Sequence, residues 1–164
     1  MFKYILEDGD VILEEQIVQN EITASLHPES LNTLRIVTYR DENNNVYIHL
    51  PFIKIGQGSS FVDNGGAGGM FARIDEKTGV LITDGKDENN IVYKYHPDTD
   101  IEIKGFKVPK WDEAVGLAKE AALAFDKTRY IGWDIAINNK DEVLIVEGNG
   151  KTQFLGQQMT DEIG

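Results

Sequence analysis

The sequence predicts an α+β fold, with a mainly antiparallel sheet and one main packing helix. Most of its apolar segments are short, rich in β-branched residues and joined by turns of a few residues, as in β-hairpins. By contrast, only residues 112–125 clearly repeat their apolar side chains at helical spacing. Together these observations favour an antiparallel sheet over a doubly wound parallel one.

The strands are predicted from apolar or alternating runs that end at polar turns. Residues 34–40 and 46–55 flank a turn at residues 41–45 and form an antiparallel hairpin. The next stretch, residues 56–69, contains too much glycine for a helix or a packed strand. The other predicted strands are residues 11–13, 70–75, 80–83, 130–137 and 142–147, with weaker signals at residues 91–95 and around Ile101.

The predicted helix begins with Asp112 as its N-cap, and Glu113 suits the first turn because acidic side chains favour a helix N-terminus. Its apolar face consists mostly of alanine, which indicates close packing on a sheet. The residues at helical spacing are Ala114, Leu117, Ala118, Ala121, Ala122 and Phe125.

Composition limits the classes of protein open to this chain. Its 164 residues suffice for one domain with a packed core, and the absence of cysteine excludes thiol catalysis and zinc ribbons. No apolar run reaches about 18 residues and the N-terminus lacks an export signal, so we expect a cytoplasmic protein without a membrane span. The formal net charge of −12 argues against a nucleic-acid partner but is compatible with a nucleotide held through magnesium.

Two carboxylates lie within apolar strands near the end of the chain. Asp134 and Glu147 fall opposite each other in the predicted hairpin, and Asn149 points to the same side as Glu147. Mg²⁺ accepts such oxygen ligands and leaves room for phosphate oxygens. The alternative is that the carboxylates are exposed strand residues or ion-pair partners of Arg and Lys. The surrounding apolar runs weaken this alternative, because a carboxylate in a buried strand needs a partner.

Three cationic residues on predicted strands, Arg35, Lys54 and Arg73, are candidates for binding a phosphate or a carboxylate. A fixed guanidinium can hold either group in bidentate geometry. The alternative for each is a surface ion pair. The glycine-rich stretch either forms an anion-binding nest or is a flexible hairpin loop, and it does not match the Walker pattern.

These motifs, taken in order, resemble the sugar-transfer associated branch of the ATP-grasp superfamily over residues 11–158. Asp134 followed by Glu147-Gly148-Asn149 resembles its magnesium-binding end, and residues 11–17 look like its hinge, a strand ending in Glu-Glu-x-Ile. Further resemblance lies in residues 32–38, 63–69 and 130–134.

The resemblance implies an ATP-grasp C-terminal lobe that uses ATP and Mg²⁺. Under this reading Asp134, Glu147 and Asn149 bind magnesium, while Arg35, with Lys54 or Arg73, stabilises an acylphosphate. The remaining implied contacts are the Glu15 carbonyl and Ile17 amide on adenine, Glu21 on the ribose hydroxyls, and Asn64 on substrate or phosphate.

One departure from the family affects the expected domain organisation. ATP-grasp enzymes carry phosphate-binding lysines in a lobe before the hinge, and only ten residues precede Val11. We therefore expect residues 1–164 to be a single domain, the C-terminal lobe of an ATP-grasp unit without the lysine-bearing lobe. Weak or absent activity in isolation is the corresponding expectation, because missing positioning groups slow a reaction by orders of magnitude.

The resemblance implies an ATP-dependent carboxylate–amine ligase, or a related ligase, in cell-surface polysaccharide or sugar modification. It implies a small carboxylate with an amine or sugar as substrates, and enzymes of polysaccharide assembly as partners. Two alternatives stay open at this point. An ATP-grasp sugar kinase needs the same metal site, and a degenerate binding module would keep the fold without catalysis.

Overall fold

A computed structural model describes residues 15–58, 69–152 and 155–161. The predicted strand at residues 11–13, Asn64 and most of the glycine-rich stretch lie outside these residues. The helices are α1 (Glu21–Leu26), α2 (Trp111–Ala124) and α3 (Leu155–Asp161). The strands are β1 (Thr33–Arg40), β2 (Val46–Ile55), β3 (Met70–Arg73), β4 (Gly85–Asp87), β5 (Val92–Tyr93), β6 (Tyr130–Ile137) and β7 (Val143–Asn149).

The seven strands of the described chain form one antiparallel sheet in the order β5-β4-β3-β2-β1-β6-β7. The predicted α+β class is therefore confirmed. The hairpins β1–β2 and β6–β7 are the ones expected from the sequence, and β1 joins them by pairing with both β2 and β6. No helix in the described part of the chain is long and apolar enough to cross a membrane.

One face of the sheet packs against α2 and forms the main core. Ala114, Ala118 and Ala122 are buried on the helix, as their spacing predicts. Their small side chains let the helix approach β1, β2, β6 and β7 closely. The sheet contributes large aliphatic side chains to this core, including Leu34, Ile36, Ile53, Ile55, Ile135 and Ile137.

The predicted start of α2 was wrong by two residues. The helix begins at Trp111, and its N-cap is Lys110. The Lys110 backbone is in the left-handed conformation, and its side chain makes no capping hydrogen bond. Trp111 is fixed by tertiary contacts: its indole Nε1 donates to the Glu76 carbonyl at 3.0 Å and its ring packs under Gly79. Burial of this side chain therefore outweighs the capping preference of Asp112.

Gly79 has a backbone φ of +67°, and a Cβ atom there would lie 2.4 Å from Trp111 Cγ. We expect Gly79→Ala to lower the free energy of unfolding by about 3 kcal/mol, from backbone strain and from crowding of the indole. Gly58 is a matched control, because its φ is +66° and no atom lies within 4 Å of its Cβ position. Gly58→Ala should cost only about 1 kcal/mol in the same urea titration. Equal costs would contradict the packing argument.

Candidate functional site

The charged residues singled out from the sequence lie on the face of the sheet opposite α2. Directly paired residues of antiparallel strands point to the same side. Arg35 pairs with Asp134 on β6 and with Phe52 on β2, and Asp134 pairs with Glu147 on β7. Phe52 pairs in turn with Arg73 on β3. We call the side that carries these five residues the site face.

A second row of cross-strand neighbours lies beside the first on the site face. Thr33 pairs with Lys54, Lys54 with Phe71, and Phe71 with Lys86 on β4. Phe52 and Phe71 make an edge-to-face contact with ring centroids 5.6 Å apart. Helix α3 packs against the Phe52 ring, because a Cβ on Gly156 would lie 2.3 Å from Phe52 Cζ. The apolar pair thus separates Arg35 and Lys54 from Arg73 and Lys86.

Asp134 is the centre of a buried ion-pair cluster. Arg35 Nε donates to its Oδ1 at 2.6 Å and Arg35 Nη2 to its Oδ2 at 2.9 Å, which is a bidentate pair. Lys54 Nζ donates to Oδ2 at 3.0 Å. The side chains of Arg35, Asp134 and Lys54 are only 13%, 7% and 9% exposed. The carboxylate therefore has the partner that its buried strand required.

The pKa of Asp134 reflects two opposing effects. Burial alone would raise the pKa of this carboxyl group. The hydrogen bond from Arg35 and the positive charges of Lys54 and Arg35 outweigh burial, so the pKa lies below the ordinary value for aspartate. The group is thus an anion at neutral pH, with two cations beside it.

A β-bulge places Glu147 beside this cluster. Ile135 pairs with Ile145, whereas Asp134 pairs with Glu147, so Val146 is the extra residue. Without it Glu147 would pair with Trp133 and point towards α2, because side chains alternate along a strand. Glu147 is exposed and Asn149, which pairs with Gly132 on the site face, is half-buried.

The residues present fit a magnesium ion. A carboxylate has about four lone-pair sites, and the contacts from Arg35 and Lys54 take three of those on Asp134, leaving one on Oδ1. Glu147 and Asn149 add oxygen atoms on the same side, and an all-oxygen donor set suits Mg²⁺. Within the described ranges no group of three or more His, Asp or Glu residues is placed to hold a metal ion by itself. Such an ion would therefore take further ligands from water or from a bound phosphate.

Residues 15–18 border a groove at the other end of the site face. The groove has a volume of about 400 Å³ and is lined by these residues, by the β6–β7 turn and by Leu144. Leu144 belongs to the site face, because it pairs with Ala136, two residues from Asp134. The Asn139 amide donates a hydrogen bond of 2.8 Å to the Val18 carbonyl, which holds residues 15–18 against the turn.

The structure brings Glu15 and Ile17 together in this groove, with Glu15 exposed and Ile17 half-buried. Glu21 is exposed as the first residue of α1 and is not one of the residues that line the groove. A second groove of about 390 Å³ lies on the other side of residues 15–18 and is lined by Ala24 and residues 28–31.

Lys86 and Thr152 are polar residues of the site face that the sequence did not single out. Lys86 lies on a three-residue strand, which is too short to show an alternating pattern. Thr152 follows β7, and its Oγ1 accepts a hydrogen bond of 2.9 Å from Arg35 Nη1. Only the position of Thr152, three residues after Asn149, could have indicated a role.

Two buried histidines, His27 and His96, contact the start of the glycine-rich stretch. His27 Nε2 contacts the Gly58 carbonyl at 2.9 Å and His96 Nε2 the Gly56 carbonyl at 2.8 Å. Each Nε2 must carry the proton, since a carbonyl only accepts. Burial lowers the pKa of His96, in keeping with a neutral ring. The two histidines therefore hold the backbone at Gly56 and Gly58 in place.

Comparison with known proteins adds one finding. A family model described as sugar-transfer associated ATP-grasp matches residues 3–164. Searches of the curated proteins and of the solved structures gave no match. The family expected from the order of the motifs is therefore confirmed by a match that spans nearly the whole chain.

Proposed function

The chain belongs to the sugar-transfer associated ATP-grasp family, and from this membership and the site face we propose that it carries the ATP- and magnesium-binding part of an ATP-dependent ligase. The observation that carries the proposal is the row Glu147–Asp134–Arg35 with Lys54 beside it. One end of this row offers oxygen ligands to a metal, and the other offers fixed cations to a phosphoryl group.

Adenine is assigned to the groove between residues 15–18 and Leu144. The backbone carbonyl of Glu15 and the amide of Ile17 can bind the edge of a base, while Leu144 supplies an apolar contact for its face. Leu144 and Glu147 are three residues apart on β7, about 10 Å along the strand. The triphosphate of a nucleotide bound in the groove would thus extend towards Glu147 and Asn149.

Asp134, Glu147 and Asn149 are the proposed magnesium ligands. When bound there, Mg²⁺ would neutralise phosphate oxygens and orient the triphosphate. Arg35 and Lys54 would bind the oxygens of the phosphoryl group in transit, because their charges are buried and already held in place by Asp134. Glu21 remains a proposal for the ribose hydroxyls, and Arg73 remains the alternative to Lys54 for stabilising the acylphosphate.

The proposed reaction has two steps and needs no side-chain nucleophile. A substrate carboxylate oxygen attacks the γ-phosphorus of ATP, the bond to the β,γ-bridging oxygen breaks, and ADP leaves with that electron pair. An amine then attacks the acylphosphate carbon, loses a proton and expels inorganic phosphate. Arg35 and Lys54 stabilise the phosphoryl oxygens in both steps. Analysis of products separates this ligase from a sugar kinase, which would yield ADP and a phosphorylated sugar.

We expect Leu144→Ala to weaken binding of the ATP analogue AMP-PNP in the presence of Mg²⁺ about 5- to 10-fold, because adenine loses an apolar contact. Isothermal titration calorimetry measures this change. Leu123→Ala is the matched control, since Leu123 is 50% exposed on α2, away from the site face. Absence of nucleotide binding by the unmodified chain, or equal weakening by both variants, would contradict the assignment of the groove.

A further inference from the structure

The guanidinium group of Arg35 is held at all three of its nitrogen atoms. Nε and Nη2 donate to Asp134, and Nη1 donates to Thr152 Oγ1 at 2.9 Å. A guanidinium has five N–H donors, so two remain, one on Nη1 and one on Nη2. These two donors are what the side chain can offer to a phosphoryl or carboxylate group.

Thr152 reaches Arg35 because residue 132 is a glycine. A Cβ atom at Gly132 would lie 2.4 Å from Thr152 Oγ1 and 2.6 Å from Thr152 Cβ. Both distances are too short for any side chain to fit without moving Thr152. The threonine is only 8% exposed, so its hydroxyl is enclosed on the site face beside β6. The absence of a side chain at Gly132 in β6 therefore leaves space for Thr152, which follows β7.

We propose that Thr152 is a positioning residue, which orients Arg35 for an anionic group of the substrate or nucleotide. Asp134 alone fixes one edge of the guanidinium, and Thr152 fixes Nη1, the nitrogen outside that edge. A donor group that is already ordered loses less conformational freedom when it binds an anion. Because Thr152 follows Asn149 by three residues, one segment supplies proposed metal ligands and orients the neighbouring cation. This inference rests on the proposed function.

The first test compares three threonine variants. Thr152→Val keeps the shape but removes the acceptor oxygen, whereas Thr152→Ser restores it. Thr160→Val is the matched control, because the buried Thr160 hydroxyl donates only to backbone carbonyls within α3. We expect Thr152→Val to weaken AMP-PNP binding with Mg²⁺ about tenfold, Thr152→Ser to stay within about twofold of the unmodified protein, and Thr160→Val to leave binding unchanged.

A second readout requires no nucleotide. The Arg35 Nε–H signal in ¹H–¹⁵N NMR spectra reports how tightly the side chain is held in the ligand-free protein. We expect Thr152→Val to increase its solvent exchange and its mobility, and Thr152→Ser to restore both. An Arg35 signal that is unchanged in Thr152→Val would overturn the positioning role, even if nucleotide binds. Altered Arg35 dynamics without any nucleotide binding would support that role and reject the proposed function instead.

Gly132 provides an independent check. We expect Gly132→Ala to weaken AMP-PNP binding at least as much as Thr152→Val, because the added Cβ displaces the threonine. In a Thr152→Gly background the same change should have little further effect, since the atoms that it meets are gone. Full additivity of the two changes would show that Gly132 acts by another route and would overturn this part of the proposal.

Discussion

Replacement of Asp134 by alanine is expected to lower the free energy of unfolding by about 3–5 kcal/mol, because it leaves two buried cations without their counter-ion. Arg35 and Lys54 are only 13% and 9% exposed, and both direct their charged groups at this carboxylate. Urea denaturation at neutral pH measures the change. Glu147→Ala is the control, since Glu147 pairs with Asp134 in the sheet but is exposed, and we expect it to cost less than about 0.5 kcal/mol.

A charge-balanced variant tests the reason for this loss. If Asp134→Ala destabilises the fold because Arg35 and Lys54 lose their counter-ion, removal of both cations should restore stability. The triple variant with Arg35→Leu and Lys54→Met should then be more stable than Asp134→Ala alone. A triple variant no more stable than the single one would indicate that lost packing, rather than unpaired charge, determines the effect.

The same cluster makes a prediction about pH. Since the folded-state pKa of Asp134 lies below the ordinary value, ionisation of this group stabilises the fold at neutral pH. That contribution is complete above the unfolded-state pKa of about 3.9 and disappears as the pH falls through the lower folded-state pKa. The difference in stability between the unmodified chain and Asp134→Ala should therefore shrink in acid.

The sequence predicts β1, β2, β6 and β7 well because these strands obey local rules. Residues 80–83, also predicted as a strand, form only isolated bridges at Val80 and Leu81. Residues 130–137 are the bounds of β6 as predicted, and the alternation in residues 34–40 and 46–55 specifies the first hairpin. Helices α1 and α3 were not predicted, since six and seven residues are too few to establish a helical period. Tertiary packing supports α3, where Gly156 meets Phe52, and Asn20 caps the start of α1.

The candidate site shows what pattern reasoning can and cannot supply. A carboxylate inside an apolar strand indicated that Asp134 has a partner, but the partners lie 99 and 80 residues away in the chain. The sequence spacing predicted that Glu147 lies opposite Asp134. That pairing depends on a bulge at Val146, which no local rule reveals. His27 and His96 gave no signal beyond the prolines that follow them, because their role is set by carbonyl groups of a distant loop.

Asp134 connects the two halves of the proposed site. Its carboxylate both holds Arg35 and Lys54 and retains a lone pair towards the side where Glu147 lies. Replacement of Asp134 would therefore disturb both the two cations and the proposed metal site. A change in nucleotide affinity in that variant would have two causes at once. Glu147 has no such double role, and for this reason it is the sharper probe of the metal.

Replacement of Glu147 by glutamine is expected to weaken magnesium-dependent binding of AMP-PNP on the order of 100-fold, because the metal loses a charged oxygen ligand. The side chain is exposed, so stability should change by less than about 0.5 kcal/mol. Calorimetric titrations at several Mg²⁺ concentrations measure the change. A higher Mg²⁺ concentration should recover part of the affinity, since a weakened site is filled by mass action.

Glu120→Gln is the matched control, because Glu120 is also an exposed carboxylate and lies on α2, away from the site face. Both variants remove one negative charge from a chain of net charge −12, so a general electrostatic effect on an anionic nucleotide would favour binding in both. If Glu147 is a metal ligand, the two variants should differ. Glu147→Gln should bind AMP-PNP more weakly, and Glu120→Gln should bind it with unchanged or slightly higher affinity. Indistinguishable affinities for the two variants would refute a metal site at Glu147.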